Sequence, residues 1–191
     1  MTIARLNKIR SVVSRRQQGI IVVEDIHDPH NAQALVRTAE AFGFQQVYFI
    51  FDQEKPFNPK KIGQSSSASA NKWLDFKIFK STSVCYSQLH RQGYQIYATV
   101  LDDQSLSLFK TKFTCPKIAL VFGNEHRGLS ARAVRLADQR IYIPMLGFVQ
   151  SLNLSVTAAI FIAEVTRQRR NHKKYLLDHR QQTQLFCRFL S

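Results

Sequence analysis

The stretch that decides the fold runs from Gly19 to Phe51: Gly19-Ile20-Ile21-Val22-Val23, then Asn31 through Phe42, then Gly43, then Val47-Tyr48-Phe49-Ile50-Phe51. Four branched apolar residues in a row after a glycine read as a strand covered on both faces. A strand with one wet face would alternate polar and apolar positions. From Asn31 the period changes. Leu35, Val36, Ala39 and Phe42 fall on one side of a helix, and Gly43 stands where a helix stop is expected. The second apolar run is again a buried strand. A strand, a helix and a strand in so short a space form a crossover unit. Such units build an α/β fold with a mostly parallel sheet flanked by helices.

The same alternation extends in both directions. Toward the N-terminus, Ile3, Leu6, Ile9, Val12 and Val13 keep close to helical spacing, which predicts a helix over residues 3–17. Toward the C-terminus, strands are expected at 76–79, 94–101, 117–122 and 140–143. Helices are expected at 83–92, at 130–137 and from Leu152 to about Arg169, with a helical tail from Lys173. The one biased segment, Gln64-Ser65-Ser66-Ser67-Ala68-Ser69-Ala70, reads as a flexible linker or as a loop at the edge of a site. The organisation expected is a basic N-terminal helix (1–17), a main domain (18–170) and a basic helical tail (171–191).

The charge is uneven. The 191 residues carry 27 Lys and Arg against 13 Asp and Glu, a net +14. Residues 1–16 hold Arg5, Lys8, Arg10, Arg15 and Arg16 with no acid, and residues 165–191 hold seven cations against Asp178. Two basic ends around a nearly neutral middle imply an anionic partner, nucleic acid first and an anionic membrane second. The two ends are expected to pack into one RNA-binding surface. With 45% apolar residues the chain is no disordered tail and can bury a core without staples. No stretch approaches the ~18 apolar residues of a membrane helix, and the first sixteen residues contain no apolar signal region. Cys85, Cys115 and Cys187 are too scattered for a disulfide framework or a zinc site, so a reducing cytoplasm is expected.

Several familiar chemistries fail at particular positions. Gly123 through Gly128 imitates the glycine spacing of a P-loop, but Leu129 stands where the phosphate-binding lysine is needed. No G-x-G-x-x-G follows the first strand, and no G-x-S-x-G occurs anywhere. His27 and His30 flank Pro29 without a third ligand, so no metal is expected; a polar loop with Asp28 or His30 near a helix start fits better.

Three segments remain. The first, Asn31 through Gly43, reads N-x5-R-T-A-x-A-x-G and carries Arg37. The second, Phe122 through Ser130, reads F-G-x-E-x-x-G-L-S; it is a buried strand ending in Gly123 and Glu125, with His126 and Arg127 at its open positions. The third, Ile143 through Ser155, reads I-P-M-x-G-x3-S-L-N-x-S and sets Ser151, Asn153 and Ser155 around a helix start. In this order and spacing the three resemble the motifs of the SpoU, or TrmH, branch of the SPOUT RNA methyltransferases. Arg15-Arg16-Gln17, His30-Asn31 and the Arg167-Gln168-Arg169 run resemble the branch that methylates guanosine-18 in the D-loop of tRNA.

The resemblance implies an α/β knot, in which the C-terminal part threads a loop as a deep trefoil knot, against the usual avoidance of knots. It implies a pocket for S-adenosylmethionine (SAM) walled by Thr99, Gly123, Ile143 and Leu152, largely through backbone groups. It implies a homodimer formed through the knot, with residues of both subunits near each site. The reaction implied is methyl transfer to a ribose 2′-hydroxyl. Arg37 would stand at that hydroxyl, where a guanidinium stabilises a developing alkoxide or orients a phosphate, and acts as a base only if strongly perturbed. Asn31 would orient the ribose or Arg37. Glu125 would anchor the second motif, and Ser151 and Asn153 would shape the SAM and ribose site. Arg5, Lys8, Arg15, Arg16, Arg167, Arg169 and Arg170 would grip RNA. Two alternatives stand beside tRNA guanosine-18. One is the same chemistry on rRNA or another tRNA position; the other is a catalytically inactive RNA-binding protein on a methyltransferase scaffold.

Overall fold

The computed structural model describes residues 2–61 and 70–190. Its elements begin with α1 (Ile3–Val13), β1 (Gln17–Glu24), α2 (Pro29–Ala41), β2 (Phe44–Ile50), β3 (Asp75–Phe79) and α3 (Thr82–Arg91). They continue with β4 (Gln95–Thr99), β5 (Leu106–Ser107), β6 (Ile118–Phe122), α4 (Ala131–Leu136), β7 (Gln139–Tyr142), α5 (Leu154–Arg169) and α6 (His179–Leu190). The strands form one sheet in the order β3-β2-β1-β6-β4-β7-β5, and every neighbouring pair is parallel.

The apolar run of β1 is divided between the two faces. Ile21 and Val23 pack with Leu35, Val36 and Ala39 of α2 and with Phe161, Ile162 and Val165 of α5. Ile20 and Val22 point the other way, toward Cys85, Tyr86 and Leu89 of α3 and Ala133 of α4. All four β1 side chains are fully buried. Each contributes about 1.5–3 kcal/mol of apolar burial, which is why the sequence shows no alternation there. A third cluster of Ile9, Val13, Leu177, Leu185 and Phe189 joins α1 to α6, so the two basic ends do lie against each other.

The boundaries differ from the sequence reading at a few points, each with a local cause. The first helix stops at Val13 rather than residue 17, because Gln17 already belongs to β1. α5 begins at Leu154 rather than Leu152, because Asn153 caps it. β7 ends at Tyr142 and leaves Ile143 in the following loop. The two-residue β5 is too short to leave a pattern in the sequence. The tail breaks into a 3₁₀ turn, Lys173–Tyr175, before α6. Gly43 ends α2 with φ +80, and a Cβ there would come 2.8 Å from the Arg15 carbonyl oxygen. The serine-rich run 64–69 lies outside the described residues.

This topology positions the site. β1 runs through α2 to β2 on one side, while the neighbouring β6 runs through α4 to β7 on the other. The direction of winding reverses between β1 and β6. In open α/β sheets, the crevice beyond the carboxyl ends at such a switch is where ligands bind.

Candidate active site

A cleft of about 410 Å³ opens at that switch, lined by His27, Asp28, Asn31, Glu125, His126 and residues 151–154. The turn leaving β1 supplies its first wall. Asp25 adopts φ 50, the one non-glycine residue with positive φ among the described residues. Its carboxylate Oδ1 accepts the backbone N–H groups of Asp52, Gln53 and Glu54 at 2.8–3.1 Å, which ties the loop after β2 to the loop after β1. Holding a non-glycine residue in this conformation costs on the order of 1–3 kcal/mol, which these bonds offset. Asp28 then caps α2 through the N–H of His30, and Pro29 takes the first helical position, where no N–H is needed.

Side chains of all three motifs meet in one chain of hydrogen bonds. Glu125 accepts the N–H of His27 at 3.0 Å, the N–H of Asp28 at 3.2 Å and the side-chain amide of Asn31 at 3.0 Å. The Asn31 amide oxygen accepts from the Asn153 amide at 3.1 Å. Asn153 Oδ1 in turn accepts the N–H and the hydroxyl of Ser155. Asn31 is therefore not a helix cap; Asp28 has that place, and Asn31 is a cross-link one turn in. Burial disfavours the ionised form of Glu125, but the donors from His27, Asn31 and Asp28 outweigh it and hold its carboxyl below the ordinary glutamate range. Ser151 and Leu152 line the same cleft.

The turn of the second motif is fixed by its own backbone. The N–H of Asn124 donates to the Gly128 carbonyl, and the N–H of Gly128 donates to the Asn124 carbonyl. A Cβ on Gly123 would lie 2.3 Å from the Gly128 carbonyl carbon, so no side chain fits there. The Asn124 amide donates to the Asp25 carbonyl at 2.7 Å, and its oxygen accepts the N–H groups of His126 and Arg127. Beneath this turn the buried carboxylate of Glu24 accepts from the Thr82 hydroxyl and from the N–H and hydroxyl of Ser130, the cap of α4.

The four residues expected at SAM sit at adjacent strand ends or in the cleft. Thr99 ends β4, Gly123 follows β6 and Ile143 follows β7, with β4 between the other two strands. The Thr99 hydroxyl donates to the Val121 carbonyl at 2.8 Å, so this side chain braces the sheet and leaves backbone to face a ligand. Leu152 borders the cleft.

The arginines separate into two groups. Arg37 is exposed, makes no hydrogen bond or ion pair with any described residue, and does not line the cleft. Arg5, Lys8, Arg15, Arg167 and Arg170 are exposed, with Arg167 paired to Glu164 at 2.7 Å. Arg16 and Arg169, expected among the RNA-gripping cations, are instead 1% exposed. Arg16 pairs with Glu40 at 2.9 Å. Arg169 donates to the carbonyls of Cys115, Pro116 and Gln18 and stacks over Tyr175; burial pulls its pKa down to about 10. Both hold the chain's ends to the sheet. They form the floor of a groove of about 600 Å³ whose rim carries Lys8, Arg15 and Arg170. The sequence reading also passed over Asp25, Glu54 and Arg127. Arg127 pairs with Glu54 at 2.8 Å, and Glu54 meets the His27 ring at 3.1 Å. The only signal for them was position, since each follows the carboxyl end of β1, β2 or β6.

Comparison with known proteins agrees with this fold. The model of the SpoU rRNA methylase family matches residues 18–163. A tRNA (guanosine(18)-2′-O)-methyltransferase of Escherichia coli (strain K12) is 36% identical over 180 residues, covering 94% of this chain and 76% of the relative. The protein of that name from Thermus thermophilus is 35% identical over 88% of this chain and 84% of its own length. Among solved structures, the A. aeolicus TrmH/SpoU tRNA modifying enzyme superposes with a TM-score of 0.85 at 30% identity, covering 97% of this chain and 94% of that one. The SpoU methyltransferase AviRb from Streptomyces viridochromogenes, solved with the cofactor AdoMet, shares the fold at a TM-score of 0.70 and 24% identity, over 81% of this chain and 59% of its own. With its three motifs joined in one cleft and most of its length matched, the chain belongs to the SpoU methylase family.

Proposed function

We propose that the chain transfers a methyl group from SAM to the 2′-hydroxyl of a tRNA ribose, with guanosine-18 of the D-loop as the target. The observation that carries this reading is the continuous hydrogen-bonded chain Glu125–Asn31–Asn153–Ser155 at the switch point, which ties the three motifs into one rigid wall. Relatives 35–36% identical over most of the chain bear the guanosine-18 name.

The strand ends at Thr99, Gly123 and Ile143 fit a ligand recognised through peptide groups, since the Thr99 hydroxyl is engaged internally and Gly123 has no side chain. SAM supplies there a methyl already activated by its sulfonium, which leaves the protein to position the acceptor and manage charge. Asn31 and Asn153, each locked by the other, orient the ribose. Glu125 holds the loop after β1 against the second motif. The guanidinium of Arg37 stabilises the alkoxide that develops at the 2′-oxygen. About 9 Å along α2 from Asn31, Arg37 stands clear of its own chain's cleft and can serve a site completed by a second copy. The face for that pairing is the loop 144–152, where Leu146 and Phe148 are fully exposed and Val149 is 62% exposed. Patches of this kind mark protein interfaces. The knot expected of the family and a homodimer formed through it belong to the same reading, as does a cytoplasmic location beside tRNA. The ends, 1–17 and 171–191, serve as the RNA-binding arm together with the end of α5, with Arg5, Lys8 and Arg15 of the first and Arg167 and Arg170 beside the second toward phosphate.

The test is transfer of isotopic label from SAM to unmodified tRNA and rRNA offered separately. Label in tRNA ribose supports the reading. Label in rRNA alone moves the substrate while keeping the chemistry.

A further inference from the structure

The ribose that Asn31 and Asn153 orient carries a base, and that base must lie at the rim of the same cleft. The cleft's lining includes two rings, His27 and His126, with centroids 6.1 Å apart and planes at 63°. Next in the chain to His126 is Arg127, whose side chain is 52% exposed. Neither the rings nor this guanidinium is needed to move the methyl group. Resting on the methyltransferase reading, we propose that they read the target base, with the His27 ring as a stacking platform and Arg127 as the donor pair that selects guanine.

Each part is held in place before any RNA arrives. The N–H of His27 donates to Glu125 at 3.0 Å, and its ring Nδ1 lies 3.1 Å from one oxygen of the Glu54 carboxylate. The other Glu54 oxygen accepts from Arg127 Nη2 at 2.8 Å. Glu54 is itself anchored by its N–H on the Asp25 carboxylate, and the N–H groups of His126 and Arg127 are both taken by the Asn124 side chain. One carboxylate therefore sets the ring and the guanidinium side by side. Ion pairs as exposed as Arg127–Glu54 add little to stability, so the fold does not require this arrangement. Glu54 engages Nη2 alone, and among the described residues the Arg127 side chain has no other bond, which leaves Nη1 and Nε to donate. Unpaired RNA bases are recognised by stacking on rings such as imidazole and by hydrogen bonds to their edges. Guanine presents two acceptors, O6 and N7, that match the guanidinium fork. Adenine sets an amine donor beside N7, and pyrimidines have no N7.

The experiment compares kcat/KM for transcripts of one tRNA that carry guanosine, inosine or 7-deazaguanosine at the methylated position. The proteins are the wild type, Arg127→Ala, His27→Ala and His27→Phe. Inosine keeps O6 and N7, whereas 7-deazaguanosine lacks N7. The wild type should use inosine within a few-fold of guanosine and 7-deazaguanosine about tenfold less well. Arg127→Ala should lower kcat/KM for guanosine about 10–100-fold and erase the penalty for 7-deazaguanosine. A merely structural loss would lower all three transcripts alike and leave that penalty in place. Side-chain exposure of 63% at His27 makes its replacement mild for the fold. His27→Ala should lower all three transcripts together by about tenfold, and His27→Phe, which keeps a flat ring, should restore them. The inference is overturned if the 7-deazaguanosine penalty survives in Arg127→Ala, if inosine is used as poorly as 7-deazaguanosine by the wild type, or if His27→Phe is no better than His27→Ala. Any of these results with an active wild type leaves the methyltransferase reading standing. A wild type that labels no ribose overturns that reading, and this inference with it.

Discussion

The cleft at the ends of β1 and β6 and the groove between α1 and the end of α5 are both polar, yet they hold their polar groups in different ways. In the cleft, Asn31, Glu125 and Asn153 come from three separate elements, and each is fixed by another. The groove instead sorts like residues by depth. Arg169 is buried among carbonyls while its neighbour Arg170 is exposed at the rim; Arg16 is buried against Glu40 while Arg15 is exposed. The cleft uses geometry, so its substitutions should act on rate. The groove uses charge at its rim and packing at its floor, so its substitutions should act on affinity or on stability according to depth.

The sharpest test of that division is Arg37→Ala. Arg37 has no polar partner among the described residues, so thermal stability should stay within about 0.5 kcal/mol, while methyl transfer falls about 10²–10³-fold. Normal transfer in a steady-state assay would break the assignment. Next comes Arg169→Met, which leaves the carbonyls of Cys115, Pro116 and Gln18 without their donor. Chemical denaturation should show a loss of about 2–3 kcal/mol. A stable variant with weakened RNA binding would return Arg169 to the RNA-gripping set. Glu125 gives a pH signature. Its pKa is lowered on folding, so its ionised form adds stability above the ordinary glutamate value, and that stability is lost as pH falls through the lowered value. Unfolding curves at falling pH should therefore show an acid-dependent term that Glu125→Gln removes. The smallest effect belongs to the rim. Arg170→Ala should weaken tRNA binding only a few-fold and reduce the salt slope by about one, with kcat unchanged.

These contrasts also show what the sequence could and could not reveal. Buried strands are readable because a strand covered on both faces must be apolar throughout, as Ile20 to Val23 are. The motif residues are readable because their spacing is fixed by the turns they occupy; Gly123 is an example, where no Cβ fits. Depth of a cation is less visible, because Arg169 and Arg170 carry the same charge. The clue was periodicity: Ala158, Phe161, Ile162, Val165 and Arg169 lie on the buried stripe of α5, and Arg170 does not. Glu54 and Asp25 left no such trace. Their pairing depends on two loops meeting at neighbouring strand ends, which only the sheet order determines.

Methylation of a tRNA ribose in the cleft is the central claim. Mass-spectrometric nucleoside mapping tests it directly, with tRNA lacking ribose methylation, labelled SAM and the whole protein. The predicted result is label in 2′-O-methylguanosine within a D-loop fragment. Absence of label from every ribose, by protein shown to bind SAM, would contradict it.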